Sequence, residues 1–124
     1  MAMSDSFFDS SELDGGVTHV RLGGEIDAAV AAELQQSLSD LIRDGHTLLL
    51  VDLSGVSFID STALGVLLHT VRKLRRRRGK LAVACPDETM RNLFELVGHN
   101  LLFPVDESVD RALAHLRSRP RQRA

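Results

Sequence analysis

At 124 residues, with 44% hydrophobic and 26% charged side chains, the chain has room for one globular domain and too little length for two ordinary ones. It contains no Trp, no Tyr and only five Phe, which disfavours nucleic-acid recognition by base stacking. The net charge of −2 conceals a polarity: residues 1–60 hold eleven acids and two bases, and residues 61–124 hold six acids and thirteen bases. Such a separation orients protein–protein encounters.

The N-terminal MAMSDSFFDSSE is acidic and lacks a basic segment followed by an apolar stretch, so it does not read as a secretory signal. A weak edge strand is expected around Phe7 to Leu13, then a turn at Gly15-Gly16. VTHVRL (17–22) alternates apolar and polar, as a half-buried strand does. In the following segment Val30, Leu34, Leu38, Leu41 and Ile42 recur at helical spacing, with Asp27 as the expected N-cap and Gly45 as the stop. TLLLVDLSG (47–55) is a continuous apolar run, expected as a strand covered on both faces.

A second helix is predicted from Ser61, carrying Leu64, Leu67, Leu68, Val71 and Leu74 on one face and ending in RRRRG. KLAVAC (80–85) reads as a buried strand, broken by Pro86. Its single cysteine, Cys85, cannot form an internal disulfide and is expected to serve as a small core hydrophobe, in keeping with a reducing compartment. Asp87 caps a third helix with Met90, Leu93, Phe94 and Val97 in register. LLFPV (101–105) is expected as a short last strand at an edge, and 107–117 as a fourth helix presenting Val109, Leu113 and Leu116. The alternation of strands and helices predicts an α/β fold in one domain, 1–118, followed by a disordered basic tail at 119–124. No apolar run approaches the roughly 20 residues of a membrane-spanning helix.

The chemistry concentrates in FIDSTALG (58–65), where an acid and two hydroxyls stand at a strand-to-helix junction. Asp60 or Ser61 serves there as an ordinary N-cap, or Ser61 is a site where a phosphate is held by the free N–H groups and dipole of the helix start. A hydrolytic nucleophile is disfavoured, because I-D-S-T-A is not a G-x-S-x-G elbow and the five histidines fall in no motif. No Cys/His spacing suits a metal, and GGEID lacks the Lys of a phosphate-binding loop. RKLRRRRGK (72–80) reads first as the solvated end of a helix whose dipole it complements; protein docking and nucleic-acid binding are the alternatives.

LGGEID (22–27) and VDLSGVSFIDSTALGVLL (51–68) together resemble the STAS domain, and more narrowly the bacterial anti-sigma factor antagonists, over about Val17 to Leu116. The resemblance implies a mixed, mostly parallel sheet of four to five strands with four α-helices. It implies a cytoplasmic regulator that is not an enzyme and carries no cofactor or metal. The unphosphorylated antagonist binds an anti-sigma factor that is also a serine kinase, with ATP and magnesium on the partner, and so frees a sigma factor. Phosphorylation ends that binding and a serine phosphatase resets it. By position the phosphoacceptor is Ser61, with Thr62 as the second hydroxyl. The implied partner-binding surface comprises Asp27, Asp60, Ser61, Thr62, Ala63 and Leu64, and Ala63 stands where many relatives carry Gly. Direct nucleic-acid or membrane contact is not implied. The alternative within the same fold is a STAS docking subunit of a membrane lipid-transport complex or a signalling scaffold.

Overall fold

The computed structural model describes residues 7–96 and 102–117. The expected positions Val97 and Leu101 and the tail 119–124 lie outside them. Five strands and four helices follow in the order β1 (Phe7–Leu13), β2 (Val17–Ile26), α1 (Ala28–Arg43), β3 (Leu48–Ile59), α2 (Ser61–Arg75), β4 (Lys80–Ala84), α3 (Glu88–Leu96), β5 (Val105–Asp106) and α4 (Val109–Arg117). The strands lie side by side in chain order. β1 pairs with β2 antiparallel across the Gly15-Gly16 turn, where both glycines have positive φ. The other three pairings are parallel.

The helical crossovers place α1 and α2 together on one face of the sheet. Leu34, Leu38 and Ile42 of α1 and Leu64, Leu67, Val71 and Leu74 of α2 share a core there with Val20, Leu22, Leu49, Val51 and Leu53. On the other face α4 brings Ala112 and Leu116 against Val17, Leu50, Ala82 and Ala84. β3 is apolar on consecutive residues because it is covered from both sides, as its run of Leu and Val predicts. Val66, off the predicted apolar stripe of α2, is also buried.

Two helix ends show why they stop. α1 closes with Gly45 N–H donating to Ile42 O at 3.0 Å and His46 N–H to Leu41 O at 2.9 Å, with Gly45 at φ 100°. α2 closes with the same pair of bonds, Arg78 N–H donating to Arg75 O at 3.2 Å and Gly79 N–H to Leu74 O at 2.7 Å. Here an arginine, Arg78 at φ 59°, occupies the left-handed position.

The last strand differs from expectation. It spans Val105–Asp106 rather than 101–105. Pro104 has no N–H, so it only accepts a bond, from Val83 N–H at 2.9 Å, and regular pairing starts one residue later. Phe103 instead turns into the core, edge-on to Phe94 at 6.1 Å. β3 also runs four residues beyond the predicted Gly55, and β2 accommodates it with register shifts at Arg21/Gly23 and Gly24/Glu25.

Candidate functional site at the start of the second helix

β2 and β3 end in the same register, with Ile26 opposite Ile59. Each is followed at once by an aspartate that caps the next helix. Asp27 accepts from Val30 N–H at 3.1 Å to start α1. Asp60 accepts from Thr62 N–H at 3.0 Å and Ala63 N–H at 3.2 Å to start α2. Asp60 N–H also reaches Ile26 O at 3.4 Å and ties the two strand ends together. Two carboxylates and two helix N-termini therefore meet at one end of the sheet.

Ser61 is the first residue of α2 and is exposed, as is Thr62. Local pattern leaves open whether Asp60 or Ser61 caps the helix; in the fold Asp60 does so. The Ser61 hydroxyl makes no hydrogen bond among the described residues. It stands at the positive end of a 15-residue helix whose first turn contains no acidic side chain. None of the described histidines is hydrogen-bonded to it: His19 is held by Asp52, His46 by Thr18 and His115 by Asp106, and His69 lies eight residues further along α2. Among the described residues no histidine is thus in place to draw a proton from Ser61.

Ala63 and Leu64 are placed differently from the other four expected residues in the free chain. The resemblance puts them on the partner-facing surface, yet Ala63 is fully buried and Leu64 nearly so. At helical spacing the two residues after Thr62 turn inward, under α2. Of the expected surface, Asp27, Asp60, Ser61 and Thr62 are brought together on the outside.

The basic segment lies at the opposite end of α2 and belongs to no shared site with Ser61. Lys73 donates to Ser39 Oγ and Arg77 to Ile42 O, each at 2.9 Å, while Arg43 pairs with Asp40 at 2.8 Å. With Arg76 they line a cleft of about 320 Å³. The carbonyl ends of α1 and α2 converge there, and their negative dipole ends account for the cations.

One buried polar network escapes a reading of the sequence. Asp52, 6% exposed, accepts from Ser54 Oγ at 2.6 Å and Ser54 N–H at 2.9 Å, and lies 2.8 Å from His19 Nε2. Burial pushes its pKa up, but the Ser54 and His19 contacts outweigh burial and hold it below the ordinary carboxylate value. The only available signal is an acid inside the apolar run LLLVDL. Cys85 is fully buried in the main core, and burial pushes its thiol pKa up. Among the described residues no group of three or more His, Cys, Asp or Glu is arranged to hold a metal, and no helix is long and apolar enough to cross a membrane.

The STAS domain family matches residues 10–112. The chain is 32% identical over 91 residues to the anti-sigma-B factor antagonist of Staphylococcus aureus, covering 73% of this chain and 84% of that protein. It is 30% identical over 117 residues to the anti-sigma-F factor antagonist RsfB of Mycobacterium tuberculosis, covering 94% and 95%. Among solved structures, that of the Bacillus cell fate determinant SpoIIAA in its phosphorylated form superposes with a TM-score of 0.70 at 25% identity, over 90% of this chain and all of that one. The chain belongs to the STAS family and, within it, to the anti-sigma factor antagonists.

Proposed function

We propose that this antagonist works as a partner switch written at Ser61. In the unphosphorylated state the surface formed by Asp27, Asp60, Ser61 and Thr62 binds an anti-sigma factor and thereby frees a sigma factor. That anti-sigma factor is a serine kinase; ATP, magnesium and any general base belong to it, and this chain contributes a substrate hydroxyl and no catalysis of its own. Phosphorylation of Ser61 ends the complex, and a serine phosphatase restores it. Residues 1–118 act as one domain in the cytoplasm, with 119–124 as a basic tail. The observation that carries the reading is the division of labour at the start of α2. Asp60 makes both capping bonds, so the adjacent exposed hydroxyl is available for modification without loss of the cap.

The physics of the switch is local. A phosphoryl group adds a charge of about −1.5 to −2 and three acceptor oxygens. The N-terminus of α2 accommodates that charge, so the fold need not change. A partner packed against a neutral hydroxyl meets it beside Asp60 and Asp27, in a surface already acidic. Repulsion and desolvation at such contacts reach several kcal/mol, and each ~1.4 kcal/mol is tenfold in affinity. The phosphorylated form in which SpoIIAA has been solved supports phosphorylation as a state of this fold.

The test is a paired capture from host lysate with wild type and Ser61→Asp as baits, followed by phosphorylation of the purified pair. Wild type should retain an ATP-binding serine kinase that Ser61→Asp does not. Radiolabel from ATP should enter wild type and not Ser61→Ala. Label entering Ser61→Ala at the full rate would move the acceptor elsewhere, with Thr62 first in line. Capture of the same transporter subunits by both baits would replace the switch with a constitutive docking role.

A further inference from the structure

Residues 72–80, at the end of α2, hold seven cations and no acid. Arg43, Lys73, Arg76 and Arg77 line the cleft of about 320 Å³ between the ends of α1 and α2, with Ser39 and Ile42 and no carboxylate among its walls. Helix dipoles explain why cations sit here, but not how many. Each helix C-terminus carries about half a negative charge. Two helix ends and Asp40, which pairs with Arg43, supply about two negative charges against the four cations, a surplus of about two in one concave surface. The flanks widen it: Asp44 after α1 stands against Arg72, Arg75 and Arg78.

The cations are also set in place before any ligand arrives. Lys73 Nζ donates to Ser39 Oγ and Arg77 to the Ile42 carbonyl oxygen, and both bonds cross from α2 to α1. A lysine has three donors and an arginine five, so most of these N–H groups are left over. Arg76 is exposed and makes no hydrogen bond or ion pair among the described residues. Like charges gathered this way repel one another, and a bound anion removes that cost. Guanidinium groups match phosphate oxygens bidentately, and an ammonium adds a point charge. The walls contain no aromatic ring, so a nucleobase has nothing to stack on. The volume is that of a small-molecule site and suits a compact ligand better than a helix or a duplex.

We infer that the cleft between the C-terminal ends of α1 and α2 binds a compact phosphate chain of two or three units, free or attached to a nucleoside, and reads only its phosphates. The inference is independent of the switch at Ser61, which lies at the other end of α2. Lys73 and Arg77 form the fixed walls of the site, and Arg76 supplies the unpaired guanidinium. The ligand ties the two helix ends together, so it stabilises the folded chain. It undergoes no reaction there.

The probe is sodium triphosphate, titrated calorimetrically into the full chain without magnesium at about 0.15 M salt, where exposed charges more than about 8 Å apart are screened. ATP, citrate and a short DNA duplex are titrated alongside. Triphosphate should bind one to one and raise the unfolding midpoint, ATP should match it within about tenfold, and citrate and the duplex should bind more weakly. Arg76→Gln removes no bond among the described residues and should weaken triphosphate binding by about tenfold. Arg111→Gln, on α4 at the other face of the sheet, should leave it within twofold. Amide NMR shifts should move over 39–43 and 73–79. No binding of triphosphate, or equal binding by Arg76→Gln, overturns the inference. So do shifts confined to 60–64, which would put the anion at the start of α2. Binding of the duplex as tight as that of triphosphate would make the segment a nucleic-acid surface instead, and citrate binding as tightly would make it a general anion patch. A preference for ATP of more than about tenfold would show that the base is read.

Discussion

Whether Ser61 is a cap or a free hydroxyl is decided by stability measurements, separately from any partner. Asp60→Ala removes two side-chain acceptors of backbone N–H groups, at 3.0 and 3.2 Å, from the start of α2. Loss of an N-cap costs about 1–2 kcal/mol. At roughly 2.1 cal/mol/K per residue, 124 residues have an unfolding entropy of about 0.26 kcal/mol/K, so Tm should fall by about 4–8 °C. Ser61→Ala removes no hydrogen bond among the described residues and introduces a better helix former, so its stability should stay within about 0.5 kcal/mol of wild type. Asp60→Asn keeps the acceptor and loses the charge–dipole attraction, about 0.3–1 kcal/mol, a deficit that shrinks in high salt. Urea unfolding with linear extrapolation resolves these differences provided the slopes agree. If Ser61→Ala costs as much as Asp60→Ala, the serine is part of the cap and the division of labour at this junction does not exist.

Three further outcomes follow from the packing. Gly79→Ala should destabilise by about 1–3 kcal/mol in urea unfolding, because a Cβ would lie 2.5 Å from the Thr47 carbonyl oxygen, which is backbone and cannot swing away. Arg78→Gly should stabilise by about 0.5–1 kcal/mol, since it relieves a left-handed arginine at the end of α2; an unchanged or lower unfolding midpoint would contradict this. Asp52 contributes on the acid side. Its pKa is held below the ordinary 3.8, so the unfolded chain takes up that proton first; the stabilisation is complete above the ordinary value and is lost as pH falls through the folded one. Asp52→Asn should therefore be less stable than wild type near neutrality and approach it in acid, as read from unfolding midpoints across pH; a gap that widens in acid would reverse the sign.

Much of this molecule is legible without its fold. Asp27 as a cap, Gly45 as a stop and the apolar stripes of α1 and α2 are all decided within one or two helical turns, and they appear where the spacing puts them; at α2 the spacing offers Asp60 or Ser61, and the fold selects Asp60. LGGEID and FIDSTALG, which carry the resemblance to the antagonist family, lie where β2 leads into α1 and β3 into α2. The differences from expectation fall where two distant segments negotiate. β5 starts at Val105 because its partner β4 needs an N–H that Pro104 lacks. Ala63 and Leu64 belong to the quoted motif, yet the rotation of α2 on the sheet turns them inside.

Composition, periodicity and capping chemistry by themselves determined the α/β class, the order of its elements, the Asp27 cap of α1 and the serine between strand and helix. These are properties of contiguous residues, carried by bonds that span four positions or fewer. Only the tertiary structure decided that Asp27 stands beside Asp60, since this depends on the register of β2 against β3. It also decided that Asp52 is buried against His19 and that Phe58 remains outside. Hydrophobicity marks a phenylalanine as apolar but cannot say on which face of a sheet it lies, or whether a helix from the far end of the chain reaches far enough to cover it.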